Sequence, residues 1–71
     1  MNKNNNIFYA VYEVLKNDEV IKGVFDYGLE VVEFLDNKVD TRHLSTYIKN
    51  EYIIKVNNRN YKIYRFEDEE E

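Results

Sequence analysis

The segment from residue 26 to residue 50 constrains the fold most, because it predicts two short amphipathic helices joined by a polar break. Asp26 can cap the first helix by accepting a hydrogen bond from a free backbone N–H, with Phe25 before it as a hydrophobic staple. Residues 36–38 are polar and end this helix. Between these limits the helix presents a wide apolar face, formed by Leu29, Val31, Val32, Phe34 and Leu35.

The second helix is predicted over residues 41–50, with Asp40 as its N-cap. Leu44, Tyr47 and Ile48 follow i, i+3, i+4 spacing and are expected to pack inward. A helix that enters the DNA major groove presents short polar residues between cations, and an ordinary solvated helix can present the same face. Here that face consists of Arg42, Ser45, Thr46 and Lys49.

Residues 7–15, IFYAVYEVL, are rich in aromatic and β-branched side chains and predict a strand. The same run also fits helical spacing, and periodicity alone does not decide between the two structures. The strand is favoured because residues 16–19 then form a turn into a second strand over 20–22, ended by Gly23. Both sides of the first strand are largely apolar, so we expect the helices to cover one of them.

The C-terminal part of the chain predicts a β-hairpin, with strands over residues 52–56 and 61–66. A two-residue loop at 58–59 would place Lys55 opposite Lys62. Two like charges facing each other across a ladder are destabilising, and that arrangement becomes useful if an anion binds there. A basic hairpin after a helix pair is a wing.

The composition leaves the core to apolar and aromatic side chains. The chain has 71 residues and no cysteine, so it has neither a disulfide nor a Cys/His set for zinc. No run approaches the roughly 20 apolar residues of a membrane span, and the start MNKNNN lacks the apolar region of a signal peptide. We therefore expect a cytoplasmic protein with a disordered head over 1–6, one α+β domain over 7–66 and an acidic tail over 67–71.

The charge distribution is more informative than the net charge of −4. Residues 1–37 carry a balance of −4, residues 38–65 a balance of +5 and residues 66–71 a balance of −5. A basic block beside an acidic tail is common in proteins that contact a polyanion. It is equally common as a mixed, solvated surface.

Catalysis is not expected from this sequence. The single histidine, His43, and the single serine, Ser45, have no neighbours that would complete a triad or a metal site. Two glycines, Gly23 and Gly28, do not make a phosphate-binding loop. We therefore expect no enzyme activity, no cofactor and no metal.

Five segments resemble a family of small phage and prophage proteins: YAVY (9–12), DEVIKG (18–23), EVVEFL (30–35), STYI (45–48) and KIYRFED (62–68). The resemblance spans residues 7–68 and implies a β-hairpin, a helix-turn-helix and a closing β-segment. Most proteins of this family have no assigned function. The chain departs from the family pattern by extra residues at 24–27 and by a longer break at 36–39. Phage proteins of this size also include inhibitors of host defence, some with acidic surfaces that mimic DNA.

The sequence therefore predicts a ββ-αα-ββ module with a helix-turn-helix-like pair and a C-terminal wing. In the first hypothesis it binds nucleic acid through Arg42, Ser45, Thr46, Lys49, Lys55, Arg59 and Lys62. In the second it inhibits a host nucleic-acid-handling protein, such as a CRISPR nuclease, through Glu30, Glu33, Glu67, Asp68, Glu69, Glu70 and Glu71. A homodimeric scaffold without a ligand is a third hypothesis.

Overall fold

The computed structural model describes residues 5–69, and the side chains of residues 7–68. It is a small α+β domain with a four-stranded antiparallel sheet and two short helices. In chain order its elements are β1 (Asn5–Val14), β2 (Glu19–Phe25), α1 (Gly28–Phe34), a 3-10 turn (Thr41–His43), α2 (Leu44–Asn50), β3 (Ile54–Val56) and β4 (Arg59–Glu69). No helix in the described part of the chain is long and apolar enough to cross a membrane.

The sheet has the strand order β2-β1-β4-β3, so the longest strands, β1 and β4, lie at its centre. The strand prediction for residues 7–15 is therefore confirmed. β1 starts at Asn5 and β4 continues to Glu69, so both strands extend past the predicted domain limits. Residues 1–4 and 70–71, the rest of the predicted head and tail, lie outside the described residues.

The central strands project beyond their neighbours. β2 pairs with β1 from Tyr9 onward, and β3 pairs with β4 only over residues 59–61. The segments 5–8 and 66–69 therefore pair with each other alone, from Asn5 opposite Glu69 to Phe8 opposite Phe66. We call this two-stranded projection the arm.

The helices cover one side of the sheet, which we call the front face. Val11 and Ile63 lie at its centre and pack against apolar side chains of α1 and α2. The removal of this apolar surface from water holds the helices against the sheet. Alternate residues of β1 point to the two sides as predicted, because successive side chains of a strand face opposite ways. The buried core comprises Val11, Val31, Val32, Leu35, Val39, Leu44, Ile54, Val56 and Ile63.

The N-cap prediction for α1 is wrong by one residue. The N-cap is Tyr27, with an extended backbone at φ −127° and ψ 144°. The Glu30 carboxylate accepts hydrogen bonds from the backbone N–H groups of Asp26 (3.2 Å) and Tyr27 (3.3 Å). Because this longer side chain reaches back to the free donors, the helix does not need the Asp26 carboxylate.

The second helix begins with a tighter turn than predicted. Asp40 caps it, since its Oδ1 accepts a hydrogen bond from the backbone N–H of Arg42 at 3.0 Å. The first turn is a 3-10 turn, and the α-helix proper starts at Leu44. Leu44 is buried, and Tyr47 and Ile48 are half-buried against the core, so the inward face is confirmed.

The hairpin register differs from the prediction. The loop consists of Asn57 and Asn58, both in the left-handed region with φ 51° and 67°, and Lys55 lies opposite Asn60 rather than Lys62. A two-residue type I′ turn needs positive φ at both central positions, and asparagine adopts it more readily than arginine. The prediction that Lys55 and Lys62 lie opposite each other is therefore wrong.

The second strand continues through Gly23 instead of ending there. Gly23 lies opposite Val11, and a β-bulge between Val11 and Tyr12 shifts the register with β2. The ring of Phe25 lies over Gly23, so that a Cβ at this position would come 2.7 Å from Cζ of that ring. A glycine inside a strand often marks such a close approach.

Candidate interaction surfaces

Arg42, the first predicted nucleic-acid contact, is engaged within its own turn. Its Nη2 and Nε donate to Oδ2 of Asp40 at 3.0 and 3.3 Å. These side-chain bonds, with the bond from the Arg42 backbone N–H, lower the pKa of Asp40 to about 2. The arrangement stabilises the start of the 3-10 turn and locally neutralises the arginine.

Arg59 and Lys62 are also paired with carboxylates of the chain. Arg59 Nη1 lies 3.3 Å from Oε1 and Oε2 of Glu13, on the front face. Lys62 Nζ lies 3.4 Å from Glu19 and 3.6 Å from Glu51. Because Arg59 and Lys62 point to opposite sides of β4, they do not form one basic surface.

The remaining predicted contacts are exposed, as Arg42 and Arg59 also are, but they make no ion pair within the described part of the chain. Ser45, Thr46 and Lys49 are exposed on α2, and Lys55 is exposed on β3. Among the described residues, Lys49 and Lys55 have no carboxylate within ion-pair distance. The seven predicted residues are therefore divided between the 3-10 turn, α2 and two sides of the hairpin.

A groove runs between α2 and the front face of β1 and β4, and we call it the α2 groove. Its volume is about 400 Å³. Tyr9 and Arg65 face each other across β1 and β4 at this point. Arg65 could not be assigned to a site from the sequence, because its distance from α2 depends on the fold. The groove is lined by Tyr9, Leu44, Ser45, Ile48, Lys49 and Arg65.

The predicted acidic contacts have different roles in the structure. Glu30 is used at the start of α1, whereas Glu33 is exposed. Glu67 lies 3.8 Å from Arg65, and Asp68 is exposed on the other side of the arm. The side chains of residues 69–71 lie outside the described part of the chain. The acidic residues of α1 and of the arm thus lie on separate elements.

The side of the sheet away from the helices carries an aromatic surface that we call the back face. Phe8 and Phe66 stack with ring centroids 5.3 Å apart, and Tyr12 and Tyr64 meet edge to face at 5.1 Å. In the described chain no helix packs over these rings, because the core lies on the front. The back face comprises Phe8, Ala10, Tyr12, Val14, Val24, Tyr64 and Phe66.

A polar group lies beside these rings. The Tyr64 hydroxyl donates a hydrogen bond of 2.7 Å to Oε1 of Glu19, and this bond, aided by partial burial, raises the pKa of Tyr64 to about 12. Lys62 binds the other oxygen of the same carboxylate. β4 is thereby tied to the start of β2 across the width of β1.

The sequence contained the signal for the back face. Phe8, Ala10, Tyr12 and Val14 alternate with the core residues of β1, so both sides of this strand were visibly apolar. The helices were expected to cover one side of this strand, and they cover the side of Val11 and Ile63. The uncovered rings of the other side were not assigned to an interaction surface from the sequence. Which side the helices cover depends on the helix packing and not on the strand itself.

A second cavity, of about 480 Å³, lies between the end of α1 and the 3-10 turn. His43 and Tyr47 line it together with the polar loop that follows α1. Within the described residues no group of three His, Cys, Asp or Glu side chains could hold a metal ion. The cavity is lined by polar side chains of that loop and by apolar side chains of α1.

The chain matches no family model, no curated protein and no solved structure.

Proposed function

We propose that this chain is a non-enzymatic binding module that docks on another protein through the back face of its sheet. The supporting observation is the pair of aromatic contacts on β1 and β4 outside the helix-covered core. The water-facing side of an antiparallel sheet is commonly polar. Apolar patches rimmed by polar residues mark protein contact sites.

The exposure of individual side chains supports the same surface. Val24 is 58% exposed and Phe66 is 41% exposed, although both are apolar. Val24 lies opposite Ala10, so it extends the aromatic surface onto β2. Aromatic side chains in such positions contribute strongly when a partner excludes water from them.

The carboxylates around the back face outnumber the two cations that β3 and β4 direct to that side, Lys55 and Lys62, and so favour a partner with a basic surface. Glu19 and Glu51 lie on either side of Lys62 and neutralise it, and Asp68 adds a further carboxylate next to Phe66. The whole chain carries a net charge of −4. A second copy fits less well, because two acidic rims would then face each other.

Proteins that handle nucleic acids present basic surfaces, because they bind the phosphate backbone. We therefore propose a nucleic-acid-handling protein of the cytoplasm as the partner, with the chain acting as its inhibitor. The aromatic rings would supply the buried centre of the contact and the carboxylates its rim. This retains the inhibitor hypothesis but moves its contact surface from the carboxylates of α1 and the acidic tail to the back face of the sheet.

Nucleic-acid binding by a ββ-αα-ββ fold, with α1 and α2 as a helix-turn-helix-like pair and β3–β4 as a wing, has narrower support. The exposed face of α2, with Lys49, favours it. Arg42, Arg59 and Lys62 would have to exchange their carboxylate partners for phosphates. A seven-residue α2 is also only about 10 Å long, which limits its contact with base edges.

The test compares a double substitution on the back face with a single substitution on α1. Val24 and Leu29 are each 58% exposed, and they lie on the back face and on α1 respectively. Val24→Ser combined with Phe66→Ser changes the back face, and Leu29→Ser is the matched control. Proteins captured from a nuclease-treated bacterial lysate are identified, purified and titrated against all three forms.

A basic nucleic-acid-handling protein should bind the parent and Leu29→Ser equally, and the back-face variant should bind about tenfold or more weakly. Excess duplex DNA should compete with the chain for that protein. Equal binding by all forms, at unchanged thermal stability, would reject the back face. A parent dimer that the back-face substitutions dissociate would assign the surface to a second copy. Direct DNA binding at about 50 mM salt that depends on Lys49 would favour the nucleic-acid hypothesis.

A further inference from the structure

We propose that the α2 groove binds a nucleoside phosphate, with the phosphoryl group held by Lys49 and Arg65. This site lies on the front face and is independent of the back-face contact. Its volume of about 400 Å³ falls within the range of small-molecule sites, about 300–1,000 Å³.

The charge of the groove is the first argument. Lys49 projects from α2, and Arg65 projects from β4 into the same cavity lining. Among the described residues Lys49 has no ion pair, and the sole carboxylate near Arg65 is Glu67, at the long distance of 3.8 Å. By contrast, Arg42, Arg59 and Lys62 have carboxylate partners at 3.0–3.4 Å. Lys49 and Arg65 thus place two weakly compensated positive charges on one groove.

The hydrogen-bonding groups are the second argument. The guanidinium of Arg65 has several N–H donors in a planar fork that matches a phosphoryl group. Ser45 lies one helical turn before Lys49, so its hydroxyl and the lysine ammonium lie on the same side of α2. A phosphoryl group between α2 and β4 can accept from all three side chains.

The lining of the groove below the charges is apolar and favours a ligand with a flat organic body. Leu44 is buried and Ile48 is half-buried, and both line the cavity beside the ring of Tyr9. Small-molecule sites combine such an apolar lining with a few polar groups that fix orientation. A nucleoside fits this arrangement, because its base covers apolar surface while its phosphate remains at the charged rim.

The same chemistry has two sources, a free nucleotide or one unit of a single-stranded nucleic acid. In either case the base that enters the groove is unpaired and unstacked. Duplex DNA, whose bases are stacked and paired, should therefore bind less well than a single strand. The phosphate contribution should weaken with added salt.

The test titrates the full chain with adenosine monophosphate, inorganic phosphate, adenosine, a single-stranded oligonucleotide and the matching duplex. Backbone amide shifts report the position of binding. Adenosine monophosphate should shift the amides of Ser45, Lys49 and Arg65, and it should bind more tightly than phosphate or adenosine. Lys49→Ala and Arg65→Ala should each weaken binding about tenfold.

Lys55→Ala is the matched control, because Lys55 is an exposed lysine without an ion pair among the described residues, on β3. It should leave the affinity unchanged. A single strand that binds far more tightly than the mononucleotide identifies nucleic acid as the source, and equal affinities identify the free nucleotide. The proposal fails if phosphate alone binds as well as the nucleotide, if the duplex binds best, or if Lys49→Ala has no effect.

Discussion

Arg59 Nη1 lies 3.3 Å from both carboxylate oxygens of Glu13, a residue that is 8% exposed on the front face of the sheet. Lys22 Nζ approaches the same carboxylate at 3.5 Å. The two cations themselves remain partly exposed. A buried acid is thus held between two cations from β4 and β2, one on each side of β1.

This arrangement predicts a non-additive loss of stability. Arg59→Ala or Lys22→Ala alone should cost less than about 1 kcal/mol, because one cation still compensates the acid and exposed pairs contribute little. Both substitutions together should cost about 1–3 kcal/mol, because the carboxylate is then buried without a partner. Urea denaturation of the four forms measures the coupling. In a Glu13→Gln background the coupling should disappear; if it persists there, the carboxylate is not its cause.

The close approach of Gly23 and Phe25 gives a second prediction. A Cβ at position 23 would lie 2.7 Å from Cζ and 2.8 Å from Cε2 of the Phe25 ring. That ring also contacts Phe34 of α1, with centroids 5.3 Å apart, so its displacement affects the core. Gly23→Ala should lower the free energy of unfolding by about 1–3 kcal/mol.

The control removes the ring that causes the conflict. In a Phe25→Ala background, Gly23→Ala should cost almost nothing, because alanine loses less backbone entropy than glycine on folding. Denaturant midpoints of the two pairs of proteins provide the comparison. A cost that is the same in both backgrounds would mean that the backbone of β2, rather than the Phe25 ring, excludes a side chain at this position.

The sequence predicted those parts of the fold that depend on local periodicity. Alternation in residues 7–14 correctly separated the two sides of β1, and i, i+3, i+4 spacing correctly placed Leu44 inward. It did not predict which side chain accepts hydrogen bonds from the free backbone N–H groups at the start of α1, since Asp26 and Glu30 are both suitable acceptors there. It also misplaced the hairpin loop by one residue, because adjacent asparagines allow more than one register.

The candidate surfaces were less predictable than the fold. The cations of the basic block were visible, but their partners come from distant positions: Arg59 and Glu13 are 46 residues apart in sequence. Likewise Lys49 and Arg65 line one groove only because α2 packs against β4. Charge counting along a chain therefore overestimates the free positive surface and misses where it is concentrated.

The Asn57–Asn58 turn gives a third prediction. Both residues have positive φ, which costs less for glycine than for any residue with a side chain. Asn58→Gly should therefore stabilise the domain by up to about 1 kcal/mol, and Asn58→Val should destabilise it by about 1–3 kcal/mol. Thermal unfolding measures both effects. Asn58→Gly should raise the melting temperature and Asn58→Val should lower it. If Asn58→Gly lowers it instead, the Asn58 side chain itself stabilises the turn.

The start of the 3-10 turn gives a prediction about acid. The pKa of Asp40 lies at about 2, below its ordinary value of 3.8, chiefly because the Arg42 side chain donates hydrogen bonds to the carboxylate. A pKa that is lower in the folded state means that the charged form favours folding. The contribution is therefore fully present above pH 3.8 and is lost as the pH falls to about 2.

Asp40→Asn isolates this contribution, since asparagine keeps an oxygen that can cap the turn but has no charge to lose. The melting temperature of the parent should exceed that of Asp40→Asn at pH 5, and the difference should shrink steadily between pH 3.8 and about 2. Arg42→Gln should lose most of the pH dependence that the parent shows over this range, because the Arg42 side chain is the largest cause of the lowered pKa of Asp40. Other carboxylates titrate in all three proteins, so the comparison between them removes their contribution. A difference between parent and Asp40→Asn that stays constant over this range would show that the cap acts through its geometry and not through the charge of Asp40.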